Sequence, residues 1–349
     1  MTEPIPQFTP VNLITGFLGS GKTTLLQKLL HDPALADTAV LINEFGEVGL
    51  DHHLLERIDD TMVLLQSGCI CCAIRGELAQ AIKDLHERRE RGTIPPFRRL
   101  VVESTGLADP FPILSTVHAD PVLKHHFRLA NVVTTVDAVN GNTQLDSYEE
   151  SVKQVAVADR IVVTKTDIAE APAVRALTDR LARLNPSAAM FRGAEPIEAD
   201  ALIARDLFDL GTKTDAAKTW FAAELGEAQH HEHHHDRNRH GDDIFAFSLQ
   251  FDEPLDWTMF GIWLTMLLNR HGREVLRVKG ILNVAGSPTP VAVHGVQHLV
   301  HPPVHLTAWP DADRRSRLVF IVKGLDRRAI ERSLRAFTAL APARQAALV

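Results

Sequence analysis

Three cysteines are the whole complement of this 349-residue chain, and they fall within four positions: Cys69, Cys71 and Cys72. A disulfide framework would spread an even number of cysteines along the sequence, so this cluster points to metal or redox chemistry instead. Thiolates are soft ligands that suit Zn²⁺ or Cu⁺. In a regular strand neighbouring side chains face opposite ways, so such a set converges on one ion only from a loop. A tetrahedral site then needs a further ligand. Glu44 and Glu47, in the stretch NEFGEVG, are carboxylates suited to that role. The competing reading of the cysteines is a set of reactive or merely buried thiols.

A second chemistry lies upstream. Gly16–Thr24 (GFLGSGKTT) fits the G-x-x-x-x-G-K-[ST] pattern of a phosphate loop. Its glycines let the backbone curl so that N–H groups face phosphate oxygens, and the following helix N-terminus adds its positive dipole end. Gly19, Ser20, Gly21, Lys22, Thr23 and Thr24 are the predicted phosphate contacts, with Lys22 neutralising the terminal phosphates and Thr23 offering a hydroxyl to Mg²⁺. Glu103, in LVVESTG, is the predicted second magnesium ligand or water-orienting group, and Gly106 beyond it permits close backbone approach to a γ-phosphate. Lys22 and Glu103 are therefore the expected catalytic residues.

Base choice is read from Ile161–Asp167 (IVVTKTD). Asp167, following a strand, can accept two hydrogen bonds from the donors of guanine, with Lys165 lying along the base plane. Thr164 stands where a guanine-recognition motif usually has Asn. Its hydroxyl lacks the paired donor and acceptor of an amide, which weakens, without removing, the case for GTP over ATP.

These groups need a scaffold that brings distant segments to one place. Short apolar runs at Val11–Thr15, Ala39–Asn43, Met62–Gln66, Leu100–Glu103, Val132–Val136, Ile161–Thr164 and Ala188–Phe191 read as strands buried on both faces. Helical periods at Leu25–Leu30, Glu77–Arg91 and Ala173–Leu184 alternate with them. The expectation is an α/β fold: a P-loop NTPase parallel sheet with helices on both faces, over residues 1–210. Each chemical group named above follows a strand, so all fall on the carboxyl edge of that sheet, where ligands bind in such folds.

Residues 211–243 are polar and biased, and read as a linker; they hold His230, His231, His233, His234, His235 and His240, six of the chain's 18 histidines. Imidazole suits zinc, nickel and copper, so the run is a candidate for loose auxiliary metal collection, with a plain solvated linker as the alternative. Beyond it, residues 244–349 read as a smaller α+β domain with strands at Ile244–Phe251, Glu274–Val284, Pro290–Val300 and Leu318–Lys323 and helices at Trp257–Asn269 and Arg327–Leu340. His294, His298, His301 and His305 recur there, and the Pro302-Pro303 break marks them as ordinary surface or core histidines.

Bulk properties exclude several classes. Apolar residues make up 45% and charged residues 23%, an ordinary soluble balance, and the net charge of −7 gives no basic surface for nucleic acid. No run of eighteen apolar residues suggests a membrane span. The N-terminal residues lack the pattern of a signal peptide, which makes the cytoplasm the expected location.

The motifs GFLGSGKTT, NEFGEVGLD, SGCICC, VVESTG and TKTD, in that order, resemble the CobW-like GTPases, as does Arg277–Leu282 (RVKGIL) in the second domain. The resemblance covers nearly the whole chain. It implies GTP as the nucleotide, because threonine is tolerated at the first position of the guanine motif in that family. It also implies a slow GTPase with Mg²⁺, and metal ligands at Glu44, Cys71 and Cys72, with Cys69 as a further candidate. Members include zinc chaperones that deliver metal to client metalloproteins. The implied mechanism lets the GTP state control metal affinity. Other relatives are linked to cobalamin synthesis or nitrile hydratase activation, so Co²⁺ is the alternative cargo. A non-catalytic metal store and an assembly factor acting by protein contact are the remaining classes. Nothing in the residues sets the oligomeric state.

Overall fold

A computed structural model describes residues 8–42, 64–66, 74–204 and 243–339. The chain divides into two compact units, Met1–Thr178 with Ala189–Asp206, and Asp179–Ala188 with Leu207–Val349.

The first unit carries strands β1 (Thr9–Gly16), β2 (Thr38–Ile42), β3 (Leu64–Gln66), β4 (Arg99–Glu103), β5 (Phe127–Asp137), β6 (Arg160–Thr164) and β7 (Ala189–Arg192). They form one sheet in the order β3-β2-β4-β1-β5-β6-β7, and every neighbouring pair is parallel. Helices α1 (Lys22–Leu30), α2 (Ile74–Glu90), α3 (Pro110–Ala119), α4 (Leu123–His126), α5 (Gly141–Ser147), α6 (Glu149–Ala156) and α7 (Ala171–Leu184), the last of which divides between the two units after Thr178, connect them. The expected architecture is therefore present. Ile14, Val40, Val101, Val133 and Val162 point to the side where Leu25, Leu26 and Leu29 of α1 pack. Their strand neighbours Leu13, Leu100, Val102 and Val132 are equally buried. Apolar residues on both sides of each strand force a layer of helices onto each face.

Strand order reverses at the centre of the sheet. After β1 the chain runs outward to β2 and β3 and returns to β4, whereas β5 leads the other way to β6 and β7. The carboxyl ends of β1 and β5 thus flank the point where connections diverge and leave a crevice. Helices α3 to α6 were not separately anticipated. Pro110-Phe111-Pro112 looks like a turn, yet Asp109 accepts a hydrogen bond from the Phe111 amide and the prolines sit in the first turn of α3, where a missing N–H costs nothing.

The second unit contains an antiparallel sheet built from β8 (Ile244–Phe251), β9 (Val275–Leu282), β10 (Val291–Val296), β11 (Leu299–Val300), β12 (Val304–His305) and β13 (Ser316–Lys323). Its order is β11-β10-β9-β13-β8, with β12 pairing β10. Helices α8 (Trp257–His271) and α9 (Arg327–Ala339) cover one face, and the core lies between. The expected strand over Pro290–Val300 is in fact a hairpin. Gln297 takes a φ of 50° and turns β10 back into β11 without a glycine to announce it. At the core centre the fully buried Phe320 stacks on Phe247 at 5.4 Å and meets the edge of Trp263 at 6.3 Å. Replacing Phe320 by Ala should lower the stability of this unit by roughly 3–5 kcal/mol, measured by urea unfolding followed by tryptophan fluorescence.

Candidate functional site

The turn from β1 into α1 is built on backbone conformations that favour glycine. Gly16, Gly19 and Gly21 take φ values of 138°, 68° and 89°. A Cβ on Gly16 would lie 2.4 Å from the carbonyl oxygen of Thr135 on the neighbouring strand. Helix α1 starts with no side-chain cap and no acidic residue in its first turn. Its leading amides and positive dipole end are thereby left to an anion, which is the condition for phosphate binding. Ser20 Oγ and Thr135 Oγ1 share a 2.6 Å hydrogen bond that fixes the loop to β5. The buried Lys22 ammonium lies over its own loop, donating to the carbonyls of Gly16 at 3.0 Å and Phe17 at 3.2 Å. Thr24 is exposed on the following turn.

Thr23 and Glu103 are brought together from 80 residues apart. The Thr23 hydroxyl donates to Glu103 Oε1 at 2.6 Å, and Glu103 is buried at the end of β4. Parallel pairing sets Ile14 opposite Glu103, so the carboxylate stands beside the base of the phosphate loop. A hydroxyl and a carboxylate at this spacing are a fitting oxygen donor set for Mg²⁺, a hard cation that takes one or two protein ligands and otherwise water and phosphate. The segment after Glu103 rests directly on the loop. A Cβ on Gly106 would come within 2.5 Å of the Leu18 amide nitrogen. Buried Gln154 of α6 steadies this segment by donating to the carbonyls of Gly106 and Ala108, each at 3.1 Å. Glutamine in the middle of a helix gives no sequence signal of that role.

The base-reading motif joins the same frame. Thr164 Oγ1 donates to the Ser20 carbonyl at 2.7 Å and lies 3.3 Å from that of Val136. The residue that departs from the usual Asn thus links β6 to the phosphate loop with its hydroxyl. Lys165 adopts a φ of 56°, and its ammonium donates to Asp137 Oδ2 at 2.7 Å. Asp167 is exposed two residues on. Gly193, after β7, packs on Thr164 and donates to the Val163 carbonyl at 2.8 Å.

Asp137 was missed in the sequence. It is buried at the end of β5 and accepts from the Val139 amide at 2.8 Å, the Asn140 amide at 3.4 Å, Asn140 Nδ2 at 3.0 Å and Lys165. Burial acts against its ionisation, but the hydrogen bonds from Lys165, Asn140 and Val139 outweigh it and hold the carboxyl below the ordinary 3.8. The contribution of this ionised group to stability is therefore complete above the ordinary carboxylate value and is lost as pH falls through the lowered one.

The expected metal ligands Glu44, Cys69, Cys71 and Cys72, with the histidines from His230 to His240, lie outside the described residues. The strands that lead to them are described: Ile42 is in register with Glu103 on one side and with Gln66 on the other. Among the described residues no group of three or more His, Cys, Asp or Glu side chains could hold a metal ion. His294 and His301 stack face to face at 4.3 Å, and His298 Nδ1 lies 2.9 Å from the Leu268 carbonyl, as packed histidines do.

A glycine-rich turn feeding an uncapped helix, beside a hydroxyl–carboxylate pair on the carboxyl edge of a parallel sheet, defines a P-loop nucleotide-binding protein. The chain belongs to the CobW family: residues 10–192 match the CobW/HypB/UreG nucleotide-binding domain, and residues 244–338 match the cobalamin synthesis protein cobW C-terminal domain. It is 35% identical over 312 residues to the zinc chaperone YjiA of Escherichia coli (strain K12), covering 89% of this chain and 93% of that one. It is 27% identical over 301 residues to the zinc-regulated GTPase metalloprotein activator 1 of Schizosaccharomyces pombe, covering 78% and 72%. The crystal structure of Zn(II)-bound YjiA GTPase from E. coli is similar at a TM-score of 0.67 and 28% identity, over 96% of this chain and 99% of that one. A Zn(II)-bound triple alanine mutant of YjiA, with one glutamate and two cysteines replaced, matches equally well.

The contact at Gly106 gives a direct test of the frame. Overpacking of this kind costs about 1–3 kcal/mol, so Gly106→Ala should weaken guanine nucleotide binding by about ten-fold, read by titration with a fluorescent nucleotide.

Proposed function

We propose that this chain is a GTP-hydrolysing metallochaperone that binds zinc through Glu44, Cys71 and Cys72, with Cys69 alongside, and passes it to client metalloproteins in the cytoplasm. The observation that carries this reading is the 2.6 Å contact between Thr23 and Glu103, combined with the register of Glu103, Ile42 and Gln66. Glu103 stands at the phosphate site. In sequence, Glu44 follows Ile42 by two residues and Cys69 follows Gln66 by three. One sheet edge therefore leads to both chemistries. The zinc chaperone and GTPase activator names of the relatives support the same assignment. No helix among the described residues is long and apolar enough to cross a membrane.

In this reading the backbone from Gly19 to Thr24 cradles the phosphates, and Lys22 moves from its loop carbonyls to the terminal phosphate oxygens. Thr23 and Glu103 would hold Mg²⁺, which when bound would supply charge neutralisation on those oxygens. Thr164, Lys165 and Asp167 face the guanine. Glu103 connects the nucleotide to β2 and β3 through the sheet, so γ-phosphate contacts and metal coordination bias adjacent loops. Two ligands that share one two-state element must be coupled reciprocally.

Two measurements test this. Lys22→Ala should lower phosphate release by about 10²–10³-fold while zinc still binds; unchanged hydrolysis would remove the phosphate loop from the mechanism. Zinc affinity should differ by about 5–150-fold between the GDP form and the form with a non-hydrolysable GTP analogue, and equal values would sink the switch. The readout has to be affinity and not mere occupancy, because the triple alanine mutant of YjiA still holds Zn(II).

A further inference from the structure

We infer that Asp137 is a positioning residue for base recognition: it fixes the Lys165 side chain in place before guanine arrives. This deepens the GTPase reading above and rests on it. Lys165 sits in a rare backbone conformation. A φ of 56° is sparsely populated for a residue with a Cβ, and such conformations persist only where surrounding contacts over-determine them. The ladder supplies those contacts. Asp137 pairs with Thr164 across β5 and β6, and the Ala138 amide donates to the Thr164 carbonyl at 3.0 Å. The left-handed residue follows at once and turns its side chain back toward β5. There the ammonium meets Asp137 at 2.7 Å.

The two partners differ in freedom. The Asp137 side chain is 2% exposed and is held by the Val139 and Asn140 amides and the Asn140 side chain, so it is a fixed point. The Lys165 side chain is 36% exposed, and without this partner its four-carbon stem would sample many rotamers in water. Tethering the ammonium lays the stem across the gap between the ends of β5 and β6. A base bound there meets an ordered apolar surface and loses no further lysine entropy. Asp137 does this through Lys165 and without contact to the base. Neither the phosphate loop nor the Thr23–Glu103 pair enters the interaction, which separates base affinity from phosphate affinity.

Asp137→Asn keeps an oxygen acceptor for the turn amides and removes the ion pair. Calorimetric titration of the full chain with GDP, ADP and inorganic pyrophosphate, together with steady-state hydrolysis, tests the assignment. The wild type should prefer GDP to ADP. Asp137→Asn should bind GDP about ten-fold more weakly, with unchanged pyrophosphate affinity. KM for GTP should rise while kcat stays within about two-fold. Lys165→Met, which keeps the stem and drops the ammonium at a more exposed position, should show the same loss, and the double variant should be no weaker than either single one. Retention of GDP affinity by Asp137→Asn overturns the inference, as does a parallel loss of pyrophosphate binding or additive losses in the double variant. A wild type with no preference for GDP over ADP defeats the guanine reading itself, and this inference with it.

Discussion

The hydroxyl of Thr23 and the carboxylate of Glu103 lie 80 residues apart in sequence and 2.6 Å apart in space. Their meeting is what the first unit is arranged to achieve. Thr23 is fixed by the turn of three positive-φ glycines, and Glu103 by parallel pairing of β4 with β1 on one side and β2 on the other. A shift of one residue in β4 would send the carboxylate to the opposite face of the sheet. The charged ends of the strand oppose that shift, since it would carry Arg99 or Glu103 toward positions held by the buried Leu100 and Val102. The apolar core and the polar site are thus one constraint seen at two places along the same strand.

The site is held less by charge than by small groups that pass hydrogen bonds between strand ends. Ser20 reaches Thr135, Ser104 reaches Thr15 at 2.8 Å, and Thr164 reaches the Ser20 carbonyl. Each is short and largely shielded from water, where an unmade hydrogen bond is costly. Strands β5 and β6 therefore bond the loop directly, and the residue after β4 is tied to β1 just before it. Thr164 illustrates the economy of this frame. A hydroxyl suffices to bridge β6 to the loop.

Features whose cause is local were legible in the sequence. The phosphate loop needs glycine at fixed offsets, and the strands need unbroken apolar runs, so both leave marks within a few residues. Features whose cause is tertiary left none. Asp137 acquires its partner 28 residues away only because β5 and β6 pair. Gln154 reaches carbonyls more than 40 residues earlier from the middle of a helix. Helix α3 hid behind its own prolines, and the hairpin turns at Gln297, where no glycine marks the left-handed position. Glu103 was found because a carboxylate that ends an apolar strand is both a local pattern and a tertiary address.

The register of β2, β3 and β4 acts as a ruler with three fixed marks, at Ile42, Gln66 and Glu103. Insertions or deletions within these strands would misalign the marks, and the buried faces of β2 and β4 would not tolerate them. Segments that neither pair in the sheet nor pack on the phosphate loop carry no such restriction, since loop length costs little free energy. The frame therefore separates what must be conserved from what is free to drift. Descendants of such a protein could change length outside these strands while leaving the phosphate-loop frame intact.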